Sequence, residues 1–112
     1  MVGTKEFTLN FDNVYKDEID HKFLVTFEKN NSAVDISGAT STKQLIFEKP
    51  DGTFLTKDGT FETDGTDGKL YYKSISGDLD TAGSWKIQGK VVIGGETKWS
   101  STGAFEVYPT LG

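Results

Sequence analysis

The 112-residue chain contains no cysteine and no arginine, one histidine and two prolines. Without cysteine there is no disulfide framework, thiolate zinc site or cysteine nucleophile, and a small secreted domain would more often be stapled. Without arginine, and with twelve lysines spread singly, there is no basic stripe to track a phosphate backbone. Nucleic acid is therefore not an expected partner, and the net charge of −5 serves solubility. No apolar run approaches the ~18 residues of a membrane span, so no membrane partner is expected. The opening stretch MVGTKEFTLNF is polar and shows no signal-peptide core. Apolar residues are only 35% of the chain. Eight Phe, four Tyr and two Trp compensate, each burying about 150–250 Å².

What is abundant is alternation. Phe7, Leu9 and Phe11 share one face of a run whose other face is Glu6, Thr8 and Asn10. The same period of two recurs at Phe23, Val25 and Phe27, at Leu45 and Phe47, and at Leu70 and Tyr72. It recurs again at Trp85, Ile87, Val91 and Ile93, and at Trp99, Phe105 and Val107. Alternation of this kind marks strands with one buried face. Between the runs stand turn formers, among them Pro50-Asp51-Gly52, Asp64-Gly65-Thr66-Asp67-Gly68, Ser76-Gly77-Asp78 and Gly94-Gly95. Turn signals every 8–12 residues or so predict a sandwich or barrel. The best helical candidate, Val14–His21, is too short and has no amphipathic stripe. One domain over residues 1–112 follows, with 1–13 as an extra N-terminal strand or docking arm.

The last hairpin allows a register argument. If Trp85, Ile87 and Val91 face the same way as Trp99, Phe105 and Val107, opposed residues must sum to an even number. A two-residue loop at Gly94-Gly95 would turn Trp99 outward. An odd loop, Ile93-Gly94-Gly95, is thus expected, with Gly in the left-handed conformation. Provided no bulge intervenes, Trp99 then lies opposite Gly89 and Trp85 opposite Gly103, each indole covering a glycine.

Catalytic signatures are missing. His21 sits in a charged stretch beside Asp20 and Lys22, near a strand start, and reads as a solvated side chain. No nucleophile elbow is present, and no carboxylate pair lies in an apolar run that would raise a pKa for glycoside hydrolysis. Asp64–Gly68 resembles part of a calcium loop, but Lys69 follows where further ligands are needed, so a tight acidic turn is the better reading. The glycines punctuate strands and precede no helix, against a phosphate loop. No catalytic, cofactor or metal residues are assigned. A sugar-stacking platform from Trp85, Trp99, Tyr71, Tyr72 and Tyr108 is weakened because both Trp fall on apolar faces. Tyr71 and Tyr108 lie opposite their apolar neighbours and are candidates for exposed contact.

One ordered set of segments is distinctive. It comprises Val34-Asp35-Ile36-Ser37-Gly38-Ala39-Thr40, Lys49-Pro50-Asp51-Gly52-Thr53, Thr63 to Tyr72, and Gly77-Asp78-Leu79-Asp80-Thr81-Ala82-Gly83-Ser84-Trp85. Gly94-Gly95 and Phe105-Glu106-Val107 follow. From Val14 to Val107 the order resembles the immunoglobulin-like N-terminal domain of bacteriophage baseplate upper proteins and related phage minor structural proteins. Residues 1–13 precede the usual start, and Asp17-Glu18 replace the customary Gly after Lys16. The resemblance implies an immunoglobulin-like antiparallel sandwich of about seven to eight strands, with Leu79 plugging one end of the core. It implies a virion structural or accessory protein of the capsid, tail, neck or baseplate, made in the bacterial host cytoplasm. Its partners would be other virion proteins, or further copies of itself in a homo-oligomer. Phe7, Leu9, Phe11, Tyr71 and Tyr108 are the candidate contacts. The alternative is a carbohydrate- or host-surface-binding module, which requires solvent-facing aromatics clustered on one face.

Overall fold

A computed structural model describes residues 14–111, and all regular structure there is β. Phe7, Leu9 and Phe11 lie outside the described residues. The described strands are β1 (Val14–Tyr15), β2 (Lys22–Thr26), β3 (Glu28–Lys29), β4 (Ser32–Ala33), β5 (Lys43–Glu48) and β6 (Phe54–Asp58). They continue with β7 (Thr60–Phe61), β8 (Lys69–Lys73), β9 (Gly83–Ile93), β10 (Glu96–Trp99) and β11 (Gly103–Tyr108). Where about seven to eight strands are expected, eleven segments are described, because several are two residues long.

The larger sheet has the order β1-β11-β9-β5-β6, with β10 also paired to β9. A second sheet has the order β2-β8-β7, and β3-β4 form a small separate ribbon. The long strand β9 organises the larger sheet. β5 flanks it on one side, while β11 and then β10 flank it on the other. β1 joins in parallel, Val14 beside Val107 and Tyr15 beside Tyr108.

The two principal sheets pack face to face as a sandwich-like body, because each alternating run turns its apolar face inward. Phe23 and Val25 of β2 and Leu70 of β8 meet Leu45 and Phe47 of β5, Trp85, Ile87 and Val91 of β9, and Val107 of β11. Phe47 is the centre of an aromatic cluster. Its ring lies 5.1 Å from Phe23, 6.3 Å from Phe105 and 6.4 Å from Trp85, each edge to face, the arrangement that ring quadrupoles favour. The sheets approach closely at Gly89: a Cβ there would stand 2.7 Å from Val25 and 2.8 Å from Phe27.

The corner between β8 and β9 closes one end of this core. Leu79 is buried there. The Trp85 Nε1–H donates to the Thr81 carbonyl at 2.8 Å, so the fully buried indole leaves no polar atom unpaired.

The last hairpin departs from the expected register. Glu96 pairs with Ile93, so the loop is the two-residue Gly94-Gly95, with φ of 58° and 83°. Positive φ at both central positions is the condition for a type I′ turn, whose twist suits a hairpin. Trp99 therefore lies opposite Lys90, not Gly89, and Trp85 lies opposite Phe105, not Gly103. The two halves of the returning strand are reconciled by a bulge. Ser100 N–H donates to the Gly89 carbonyl at 3.0 Å, and Gly103 pairs with Ile87. Ser101 and Thr102 thus oppose Gln88 alone, and the extra residue reverses which parity faces inward. Phe105 and Val107 turn to the core, whereas Trp99 faces solvent with 51% of its surface exposed.

Candidate functional site

The outer face of the larger sheet carries an unusual share of exposed aromatic surface. Seven large hydrophobic residues are exposed among those described. Four of them, Tyr15, Phe54, Trp99 and Tyr108, are aromatics on this one face. Their placement follows from register. Phe54 opposes Glu48, which opposes the exposed Lys86 of β9. Trp99 opposes Lys90, whose Nζ lies 5.6 Å from the centre of the indole ring. Tyr15 and Tyr108 are paired neighbours with ring centroids 6.0 Å apart.

These aromatics stand at the margins of the face and the middle is polar. Ser84 Oγ donates to Glu106 Oε1 at 2.9 Å, and Gln88 Nε2 to the Ser100 carbonyl at 2.8 Å. At about 3.3 Å per residue, Trp99 and the Tyr15–Tyr108 pair stand on the order of 25 Å apart along β9. The arrangement suits a broad partner touching several points, and the spacing is too wide for adjacent rings of one sugar.

Tyr71 is not part of this surface. It lies on the outer face of the smaller sheet, half-buried, with Lys22 Nζ 4.8 Å from its ring centre. Lys22 in turn pairs with Glu62 at 2.7 Å. The structure therefore separates Tyr71 from Tyr108. Trp99 is a surface aromatic that the sequence reading places in the core. The signal was present in Gly94-Gly95, since two adjacent glycines are the preferred residues of a two-residue I′ loop.

A second constellation is internal. Asp78, read from sequence as part of a turn, is only 5% exposed. Its Oδ2 accepts from the Tyr72 hydroxyl and from the Ile75 N–H at 2.9 Å, and its Oδ1 lies 3.1 Å from Lys57 Nζ. Burial pushes this carboxyl up, but the hydrogen bonds from Tyr72, Ile75 and Lys57 outweigh it and hold the pKa below the ordinary 3.8. Burial, and then the hydrogen bond to Asp78, push the Tyr72 hydroxyl up. The network ties β6 of one sheet to β8 of the other. With Lys57 pointing inward from an edge strand, it also guards that edge against unwanted pairing.

The other acidic residues singled out hold turns. Asp35, Asp51 and Asp64 each accept, through Oδ1, the N–H and the hydroxyl of the residue two positions on: Ser37, Thr53 and Thr66. These hydrogen bonds lower all three carboxyl pKa values. His21, read from sequence as solvated, is partly buried: its ring centre lies 4.8 Å from that of Phe23, tilted against it, and its Nδ1 lies 3.6 Å from Glu18 Oε2. Among the described residues no group of three or more His, Cys, Asp or Glu is placed to hold a metal ion. Comparison with protein-family models and with curated proteins finds no match to this chain.

Proposed function

We propose that this chain is a bacteriophage virion structural or accessory protein, an immunoglobulin-like module that works by protein–protein contact and carries no catalytic site or cofactor. The observation that carries the contact reading is the one-sided distribution of Tyr15, Phe54, Trp99 and Tyr108. Aromatics around a polar centre provide large, rigid contact area at several points of a broad surface. Two features support the immunoglobulin-like part. The order β11-β9-β5 facing β2-β8-β7 parallels the G-F-C and B-E-D sheets of that fold. The Trp85–Thr81 hydrogen bond occupies the corner where such domains place a tyrosine bonded to upstream backbone. The proposed partners are capsid, tail, neck or baseplate proteins in the virion, with no role for nucleic acid or membrane.

Mass spectrometry and imaging of particles from a phage encoding this chain test the reading. The expected result is a fixed copy number at a defined position. Loss of incorporation is expected in a Trp99→Ala, Phe54→Ser double variant that melts like the wild type. Absence of the chain from purified particles overturns it.

The outward Trp99 also favours a second reading, a module that binds glycans at the host surface. Retention of the intact chain on host cell-wall polysaccharide, lost with Trp99→Ala, would support that reading over the first.

A further inference from the structure

We propose that β10 pairs edge to edge with β10 of a second copy, antiparallel about a two-fold axis at Thr97. The inference does not depend on the virion reading. It begins with the backbone. Ser100 is hydrogen-bonded to Gly89, and pairs in an antiparallel ladder alternate between bonded and non-bonded. Lys98 opposite Val91 and Glu96 opposite Ile93 are therefore bonded pairs as well. The backbone N–H and C=O groups of Thr97 and Trp99 point the other way, along the outer edge, where no described strand pairs with β10. Such an edge is a template for another strand.

The side chains select a second copy as the occupant. Glu96 and Lys98 project from the same face of β10, 3.6 Å apart. In an antiparallel pair centred on Thr97, Glu96 faces the partner's Lys98 and Lys98 faces the partner's Glu96. Edges guarded by charge of one sign repel their own copies, whereas this edge is complementary to itself, and opposite charges directly across a ladder are favourable. The same register brings Trp99 opposite the partner's Gly95. Gly95 has nothing within 4 Å of where a Cβ would stand, which leaves room for an indole to lie across its backbone, an arrangement that stabilises edge glycines. Thr97 meets the partner's Thr97, a favourable cross-strand pair.

The contact is short, so weak association is expected, with a Kd of roughly 0.1–1 mM. Sedimentation equilibrium and concentration-dependent amide shifts of the full chain test it. The expected result is a monomer–dimer equilibrium, with shifts centred on Gly95, Thr97 and Trp99. Thr97→Pro removes an edge donor that β9 does not use and should abolish dimerisation while the domain stays folded. Lys98→Glu should weaken association about tenfold or more, and E96K/K98E together should restore it. A chain that stays monomeric to about 1 mM overturns the proposal. So does a dimer indifferent to Thr97→Pro, or a double variant that fails to recover. Hydrogen-exchange protection of Thr97 and Trp99 in a monomer would mean that the chain covers this edge itself, and also overturns it. None of these outcomes alters whether the chain is found in particles, so the two proposals fail separately.

Discussion

Trp85 and Trp99 belong to the same hairpin and have opposite fates. Trp85 is fully buried, stacks on Phe105 at 5.9 Å and donates its indole N–H to Thr81. Trp99 lies half in solvent above Lys90. Both stand in alternating runs and both have odd numbers, so periodicity treats them alike. The bulge at Ser101 and Thr102 separates them. On one side of it the hairpin is a core element, and on the other it is a surface whose outer edge pairs with no described strand. One residue of insertion divides stability from recognition within a single pair of strands.

The sharpest way to break this comparison is to truncate each indole. Trp85→Ala should cost about 3–5 kcal/mol in denaturant unfolding, the range for a buried aromatic that leaves a cavity. This is a large part of the ~5–15 kcal/mol that such domains have. A loss below about 1 kcal/mol would remove Trp85 from the core.

The buried network comes next. Asp78→Ala should cost about 2–3 kcal/mol, because it strands the Tyr72 hydroxyl and the Ile75 N–H. The partly exposed Lys57 can recover water, which keeps the loss below that of a fully buried pair. The sign of its pH dependence follows from a lowered folded-state pKa. The stabilisation from Asp78 is fully present above the ordinary value of 3.8 and is lost as the pH falls below it. Asp78→Asn should therefore flatten the acid limb of the stability curve. Thermal melts from pH 7 down to about pH 2 would show this.

Overpacking at the sheet–sheet contact should be of similar or smaller size. Gly89→Ala is expected to cost about 1–3 kcal/mol, since Val25 and Phe27 must move to admit the methyl group. An unchanged midpoint would show that the sheets separate easily there.

The smallest effect belongs to the other side of the bulge. Trp99→Ala should change stability by less than about 1 kcal/mol. In the wild type, iodide should quench one tryptophan strongly and leave the other protected. With Trp99→Ala only the protected component should remain. Equal quenching of both indoles would erase the distinction.

How far the sequence reached differs from strand to strand. β2, β5, β8, β9 and β11 are all legible, because their apolar residues alternate and end at turn formers. β6 was not legible, for a physical reason. Its inward positions are Leu55 and Lys57, while its largest apolar residue, Phe54, faces out with 67% exposed. The lysine is tolerated inside only because Asp78 meets it, and Asp78 comes from a distant turn whose composition is that of a surface loop. Of the candidate contacts, Tyr108 was legible as exposed from its place beside Val107. Its neighbour Tyr15 was not, since a two-residue parallel strand leaves no periodic trace.

Alternation and turn chemistry by themselves determined that residues 14–111 are all-β, that Phe23, Leu45, Phe47, Leu70 and Trp85 face a core, and that the last hairpin turns at Gly94-Gly95, though not the length of its loop. They did so because a period of two relates each residue to its immediate neighbours. Only the tertiary structure decided that Trp99 faces outward and that Asp78 is buried. Face parity is carried along a strand only until a bulge resets it, and that bulge forms where Ser100 closes its hydrogen bonds on Gly89. Likewise, a buried carboxylate persists only where a lysine, a tyrosine and a backbone amide converge from separate parts of the chain.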